Sequence, residues 1–242
     1  MIAVVTSGKG GVGKSTVSVG LACALASRGQ RVLVIDTDAG LRSLDWMLSI
    51  GDRAVCDLSD VFARRCEPSA AIYESPLCQN VFVIPAPPTL EGLASPAEMQ
   101  YLCRGLAEHY DTVLIDCPAG IGRGFRLATS AADRAILVTT PDRVAARDVY
   151  VASTLLDRLD ISYKMIVNRL RVKPVLKGAM PDLDEIMDTA QVPLLGVIPE
   201  DEAVTISTAN GTRFPKKCPA TAAFDNIAAR FLGENVPLGK LK

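Results

Sequence analysis

Histidine is almost absent from the sequence, and its scarcity removes one kind of active site. His109 is the only histidine among the 242 residues. No metal site that needs two imidazoles can therefore form, and a Ser-His-Asp arrangement would have to use His109. His109 follows an amphipathic segment and precedes an apolar one, which favours a position at the end of a helix.

The chain also lacks an excess of charge and a long apolar run. Its formal net charge is −1, which gives no overall electrostatic reason to expect nucleic-acid binding. No apolar stretch reaches the roughly 18 residues that span a bilayer. With 49% hydrophobic and 22% charged residues, the composition is that of an ordinary globular domain.

Cysteine is present seven times, but no two cysteines form a C-x-x-C pair. The odd number and the lack of a signal peptide predict reduced thiols in the cytosol. Small buried side chains are the favoured interpretation, and a redox or iron–sulfur role is the alternative. The seven are Cys23, Cys56, Cys66, Cys78, Cys103, Cys117 and Cys218.

Apolar and amphipathic segments alternate along the chain. Strands are predicted near residues 2–6, 32–36, 81–85, 112–116, 134–140, 162–168 and 193–198, and helices near 14–29, 43–50, 96–109, 124–131, 143–159 and 200–209. Near-continuous apolar runs suit strands that are buried on both faces. The pattern predicts an α/β fold with a doubly wound, mostly parallel sheet and helices on both faces. One domain over residues 1–232 and a short tail over 233–242 are expected.

The segment from Gly8 to Thr16, which reads GKGGVGKST, fits a phosphate-binding loop between a strand and a helix. Lys14 is expected to reach the β- and γ-phosphates, and the Ser15 hydroxyl to ligate Mg²⁺. Lys9 is a second lysine in the loop, and it is free to point elsewhere because Lys14 already serves the phosphates. The residues expected to bind nucleotide here are Gly8, Gly10, Gly11, Val12, Gly13, Lys14, Ser15 and Thr16.

Carboxylates follow two further strands. Asp36 and Asp38 end the second strand, where one can serve Mg²⁺ or Lys14 and the other can orient a hydrolytic water. The alternative is that Asp38 only caps the following turn. Asp116 ends another apolar strand, as in a Walker-B element, and would help to hold Mg²⁺ with Ser15 and Asp36. Gly120 offers a backbone N–H that can sense the γ-phosphate.

Together these motifs resemble the deviant-Walker-A ATPases, the family of MinD, ParA, the nitrogenase iron protein and the arsenite-pump ATPase. The resemblance runs from Met1 to about Phe231. It implies a P-loop NTPase fold, slow Mg²⁺-dependent hydrolysis of ATP to ADP, and an ATP-dependent homodimer. In that dimer Lys9 would contact the nucleotide of the partner subunit, Lys14 would bind phosphate, and Asp38 would orient the water.

The segment from Asp38 to Asp45, which reads DAGLRSLD, is similar to the MinD branch, where Asn is usual at the position of Ser43. By the same resemblance Asn168, Pro199 and Asp201 would lie at the adenine. An Asn amide can read the adenine edge, while a simple strand-end turn is the alternative for Asn168.

The MinD branch implies spatial control of septum placement through a division inhibitor or topological factor. It also implies a cytoplasmic protein that attaches weakly or indirectly to the inner face of the cell membrane. The tail carries Leu238, Lys240, Leu241 and Lys242, but Pro237 interrupts it, so the helix from Phe224 to Leu232 is expected to dock on the core instead.

Three alternatives remain at this point. Flagellar positioning and ParA-like DNA segregation use the same kind of switch, and assembly of a metallocentre is the third and least favoured. DNA binding would rest on a basic cluster that is more often solvated surface. This cluster consists of Arg169, Arg171, Lys173, Lys177, Arg213, Lys216 and Lys217.

Overall fold

Eight strands form one sheet in the order β3-β4-β2-β5-β1-β6-β7-β8, in a computed structural model that describes residues 1–40, 42–89 and 94–238. The strands are β1 (Ile2–Thr6), β2 (Val32–Asp36), β3 (Tyr73–Glu74), β4 (Val81–Ile84), β5 (Thr112–Asp116), β6 (Arg134–Thr139), β7 (Ser162–Leu170) and β8 (Leu194–Pro199). Every pairing is parallel except that of β3 with β4. The prediction of a doubly wound, mostly parallel sheet is confirmed.

Helices cover both faces of this sheet. They are α1 (Lys14–Ser27), α2 (Ser43–Met47), α3 (Leu58–Phe62), α4 (Pro96–Leu106), α5 (Arg123–Thr129), α6 (Arg143–Asp157), α7 (Val172–Leu176), α8 (Leu183–Ala190), α9 (Glu202–Asn210) and α10 (Pro219–Phe231). Among the helices described, none is long and apolar enough to cross a bilayer.

The central strands β1, β2 and β5 are buried at every position because they are covered on both sides. Strand β1 shows the consequence of the two-residue repeat of a strand. Ile2 and Val4 belong to one hydrophobic cluster, whereas Ala3 and Val5 belong to a second cluster on the opposite face. The sheet therefore separates two cores.

The sequence analysis missed several elements. It predicted no helix at α3, α7 or α8, and it missed the short antiparallel edge strand β3. Helix α8 carries a recognisable start signal, because Asp182 and Glu185 form a capping box. Helix α10 begins at Pro219, five residues before the predicted start at Phe224.

The prediction that all cysteines are reduced thiols is wrong for one pair. Cys23 on α1 and Cys78 before β4 form a disulfide with their Cα atoms 5.9 Å apart. That separation lies within the range a disulfide can span. The free cysteines are Cys56, Cys66, Cys103, Cys117 and Cys218.

Helix α1 packs closely on α10 through a glycine. A Cβ atom at Gly20 would lie 2.2 Å from Cζ of Phe224. The Phe224 ring is only 2% exposed and stacks beside Phe214, so it cannot move aside. Gly20 thus sets the spacing between the helix that follows the phosphate loop and the last helix of the domain.

Gly20→Val is expected to destabilise the fold by about 2–3 kcal/mol, because the new side chain overpacks the α1–α10 contact. For a chain of this size the melting temperature should fall by roughly 4–10 °C in a thermal denaturation. Gly105→Ala on α4 is the matched control, since a Cβ there meets no atom within 4 Å. It should stabilise the fold by about 0.5–1 kcal/mol. Equal melting temperatures for the two variants would contradict the packing argument.

Candidate functional site

The carboxyl ends of β1, β2 and β5 lie side by side and bring three motif segments together. Strand β5 lies between β1 and β2, and Asp36 pairs in register with Asp116. The Thr37 backbone N–H and hydroxyl both donate to the Asp116 carbonyl, at 3.0 and 2.7 Å. The loop after β1 runs directly into α1. This edge of the sheet is where ligands bind in doubly wound folds.

The phosphate loop needs glycine at its last turn. Gly13 has φ of 91°, a left-handed conformation that glycine adopts without steric cost. A Cβ atom at Gly13 would lie 2.4 Å from Nδ2 of Asn168. Lys14 is the first residue of α1 and is only 7% exposed, and its charge opposes the rise that burial causes in the pKa of the nearby carboxyls of Asp38 and Asp116.

Two residues near the end of β7 brace this loop. The Asn168 amide donates to the Val12 carbonyl at 2.8 Å, and the Arg169 guanidinium donates to the Gly11 carbonyl at 3.1 Å. Arg169 has φ of 56°, which is uncommon for a residue with a side chain. The sequence analysis placed Arg169 in a basic surface cluster and missed this contact. The adenine contact of Asn168 stays a prediction.

Lys9 lies on the outside of the loop. Its ammonium is 3.9 Å from a carboxylate oxygen of Asp142, and the two side chains are 46% and 41% exposed. A pair at that distance and exposure holds weakly. The loop itself is fixed beneath Lys9, because the Ser7 hydroxyl donates to the Lys9 carbonyl at 2.6 Å. Lys9 therefore has a fixed backbone and an accessible side chain.

Asp116 is one of two acids of the site that are almost completely buried. Its carboxylate accepts hydrogen bonds from the hydroxyls of Ser15 and Ser18, at 2.7 and 2.8 Å. Asp36 lies beside it and accepts from the Asp38 backbone N–H at 2.9 Å. The other Asp36 oxygen is buried and has no hydrogen-bond partner among the described residues.

Burial raises the pKa of both carboxyls. The pKa of Asp116 rises to about 6, with the hydroxyls of Ser15 and Ser18 opposing the shift. The pKa of Asp36 is raised well above its ordinary value, first by burial and then by the charge of Asp116. Two adjacent buried carboxylates and an orphaned oxygen form an oxygen-rich set that suits a hard divalent cation. Mg²⁺ therefore fits the residues present.

A cleft of about 490 Å³ opens over the loop. Asp38 borders it, and burial raises the pKa of that carboxyl while the charge of Lys14 lowers it. The cleft is lined by Gly11, Gly13, Lys14, Ser15, Thr16, Asp38, Arg42, Ser43, Trp46, Met47, Arg169 and Thr208. Trp46 and Thr208 were missed by the sequence analysis, although a single tryptophan directly after a motif segment was a usable signal. Leu41, in the same segment, lies outside the described residues.

The remaining sequence candidates occupy different positions. Gly120 has φ of 84° in the loop after β5, and Cβ of Ala119 approaches Gly10 of the phosphate loop. Pro199 ends β8. The Asp201 carboxylate caps α9 through the Ala203 N–H at 3.0 Å and also accepts from the Ala220 N–H at 3.2 Å. The structure thus gives Asp201 a structural contact at each oxygen, and its nucleotide contact stays a prediction.

The residues of the basic cluster have different contacts. Arg169 lines the cleft, Arg171 pairs with Glu200 at 3.1 Å, and Arg213 and Lys216 line a different cavity beside α1 and α10. These four residues thus have three different surroundings, and the expectation that DNA binding is less favoured stays a prediction.

Comparison with known proteins places this geometry in a family. Residues 3–214 match the family described as the CobQ/CobB/MinD/ParA nucleotide binding domain. The chain is 42% identical over 241 residues to the septum site-determining protein MinD of Synechocystis. That match covers 98% of this chain and 91% of the relative.

Solved structures agree with the sequence match. The chain is similar to the MinC:MinD cell division protein complex of Aquifex aeolicus, with a TM-score of 0.92 and 34% identity over 100% of this chain and 99% of that one. It is also similar to MinD of Pyrococcus horikoshii complexed with Mg-ADP, with a TM-score of 0.86 and 30% identity over 95% of each chain. That relative binds nucleotide and magnesium together.

Proposed function

Since the chain belongs to the CobQ/CobB/MinD/ParA nucleotide-binding family, we propose that ATP at its phosphate loop switches it between two assembly states. It is a MinD-like ATPase that acts in the placement of the cell-division site. The observation that carries the switch is the contrast between the two loop lysines. Lys14 is buried at the start of α1, whereas the Lys9 ammonium is half exposed.

Different residues of one chain would have different roles in ATP hydrolysis. The backbone N–H groups of the loop and of the first turn of α1 bind phosphate oxygens, and Lys14 neutralises charge at the β- and γ-phosphates. Asp38 borders the cleft and orients the attacking water. Asn168 and Arg169 hold the loop in shape through the carbonyls of Val12 and Gly11.

Mg²⁺ would be held by Ser15, Asp116 and Asp36. When bound, the cation supplies charge neutralisation on the transferred phosphoryl group. Asp116 already accepts the Ser15 hydroxyl, so the two groups are paired before any cation arrives. Binding a cation also relieves the repulsion between the adjacent carboxylates of Asp36 and Asp116.

Lys9 would connect two chains. Because its pair with Asp142 is long and exposed, a phosphate group that approaches from a second subunit competes with that carboxylate at little cost. Hydrolysis removes the γ-phosphate and with it part of the attraction, so the dimer opens. We infer a homodimer that forms with ATP and separates with ADP.

A regulatory partner and a membrane surface would bind the ATP-bound dimer in preference to the monomer. The MinC:MinD complex of Aquifex aeolicus supports a division inhibitor as the partner class. The tail over residues 233–242 would give weak membrane affinity that two copies amplify. Its first part is held by the protein body, because the Arg230 guanidinium donates to the carbonyls of Val236 and Pro237 at 2.7 and 2.8 Å. Lys240, Leu241 and Lys242 lie outside the described residues.

Sedimentation with anionic liposomes tests this function. With a slowly hydrolysed ATP analogue, most of the protein should sediment with the liposomes, and with ADP most should stay in the supernatant, because avidity needs the dimer. A variant that ends at Gly233 is the control, and it should dimerise but stay in the supernatant. Equal sedimentation with ATP analogue and ADP would contradict the switch. Salt-sensitive retention on a DNA filter would instead favour DNA segregation.

A further inference from the structure

A cavity of about 310 Å³ lies beside the Cys23–Cys78 disulfide, away from the phosphate loop. It is bordered by α1 and α10, and the disulfide forms part of its wall. Cys23 is half-buried and Cys78 is 6% exposed. The sulfur atoms are therefore sheltered from bulk solvent but adjoin a space that a small molecule can enter.

The charged residues that line this cavity favour an anionic ligand. Arg213 and Lys216 line it, and Asp225 is the one acid among its lining residues. Burial raises the pKa of the Asp225 carboxyl, against the lowering effect of Arg28. Nearby cations stabilise a thiolate relative to a thiol and attract anionic reagents.

The other cysteines have a different environment. Burial raises the pKa of the Cys103 and Cys117 thiols to about 12. The pKa of the Cys66 thiol rises to about 11 through burial and a hydrogen bond with Cys56. Thiols of this kind are poorly reactive. The disulfide pair is the one that combines a partner sulfur, a cavity and neighbouring cations within the described residues.

We propose that Cys23 and Cys78 form a reversible thiol–disulfide site that small anionic thiols reach through this cavity. A thiolate attacks one sulfur, the S–S bond breaks, and a mixed disulfide and one cysteine thiolate form. A second thiolate then attacks the mixed disulfide and releases the oxidised reagent. In sum, two reagent thiols lose two electrons and two protons to the cysteine pair, which becomes two thiols.

The disulfide would link the redox state of Cys23 and Cys78 to the stability of the ATPase domain. Cys23 lies on α1, the helix that Lys14 begins, and Cys78 lies three residues before β4. The bridge closes a separation of 55 residues that contains the Asp38 loop. Closing a loop of that length restricts the unfolded chain, so the oxidised protein should be the more stable form.

Reduction kinetics on the folded full chain test the proposal. The oxidised protein is treated with 2-mercaptoethanesulfonate or with cysteamine, which are small thiols of opposite charge. Alkylation and peptide mass spectrometry then follow Cys23 and Cys78. Per thiolate present, the anionic reagent should react at least about threefold faster. Arg213→Gln combined with Lys216→Gln should remove that preference while leaving the fold intact.

A thermal melt provides an independent readout. Reduction should lower the melting temperature of the wild type by roughly 5–10 °C. The same shift should appear in Cys56→Ser and be absent in Cys23→Ser. Any of three results would overturn the proposal. The protein could keep seven free thiols after exposure to oxidised glutathione, or the disulfide could be reduced only in denaturant. The third is that the anionic and the cationic thiol reduce the disulfide at equal rates.

Discussion

Lys9→Ala is expected to leave a chain that binds ATP as a monomer and no longer dimerises with it. The exposed ammonium of Lys9 contributes nothing to the cradle of its own loop, which Asn168 and Arg169 brace from the other side. Loss of a charged contact buried between two subunits costs about 3 kcal/mol, which weakens dimerisation by roughly 100-fold. Hydrolysis should fall by a similar factor, because the site is completed by the second chain.

Light scattering with a slowly hydrolysed ATP analogue measures the dimer, and calorimetry measures nucleotide binding to the monomer. Asp38→Asn is the matched control, since it removes the charge that orients water but leaves both loop lysines. That variant should hydrolyse ATP roughly 100-fold more slowly and still dimerise. If Lys9→Ala dimerises like the wild type, Lys9 has no part in the switch.

The sequence predicted the phosphate loop and the central strands well because their causes are local. Gly13 needs a left-handed conformation whatever lies around it. Val32 to Asp36 forms a strand that is buried on both faces. The sequence of such a strand is usually a nearly continuous apolar run, which is easy to recognise. Residues 2–6, 32–36 and 112–116 accordingly have the predicted bounds.

What could not be predicted depends on contacts between distant segments. Arg169, whose backbone adopts a positive φ, reaches Gly11, 158 residues away. The nucleotide contact of Asp201 stays a prediction, but its hydrogen bond from the N–H of Ala220 on α10 could not be predicted from the sequence. The pairing of Cys23 with Cys78 is of the same kind, because cysteine spacing alone does not determine which sulfurs meet.

Asp116→Asn is expected to make the nucleotide-free protein more stable and the ATPase nearly inactive. In the unfolded chain the pKa of this carboxyl lies near 3.8, whereas burial raises it to about 6 in the folded chain. Between these values the folded chain binds more protons than the unfolded chain, so stability falls as the pH rises through this window. At pH 8 the ionised carboxylate costs about 3 kcal/mol, on the order-of-magnitude scale of such shifts. An asparagine does not carry that cost and can still accept a hydroxyl hydrogen bond.

Without magnesium or nucleotide, the melting temperature of Asp116→Asn at pH 8 should therefore exceed that of the wild type by several degrees, and the difference should shrink toward pH 4. Adding Mg²⁺ and ATP should reverse the order, because only the wild type keeps the charge that holds the cation, and hydrolysis by the variant should fall by at least about 100-fold. Asp133→Asn is the control with the opposite sign. The Ile2 N–H and Arg104 hold the pKa of the Asp133 carboxyl below its usual value despite burial, so its removal should lower the melting temperature at pH 8. If Asp116→Asn instead melted below the wild type at pH 8, the buried carboxylate of Asp116 would stabilise the fold. The charge repulsion between Asp36 and Asp116 would then not indicate a cation site.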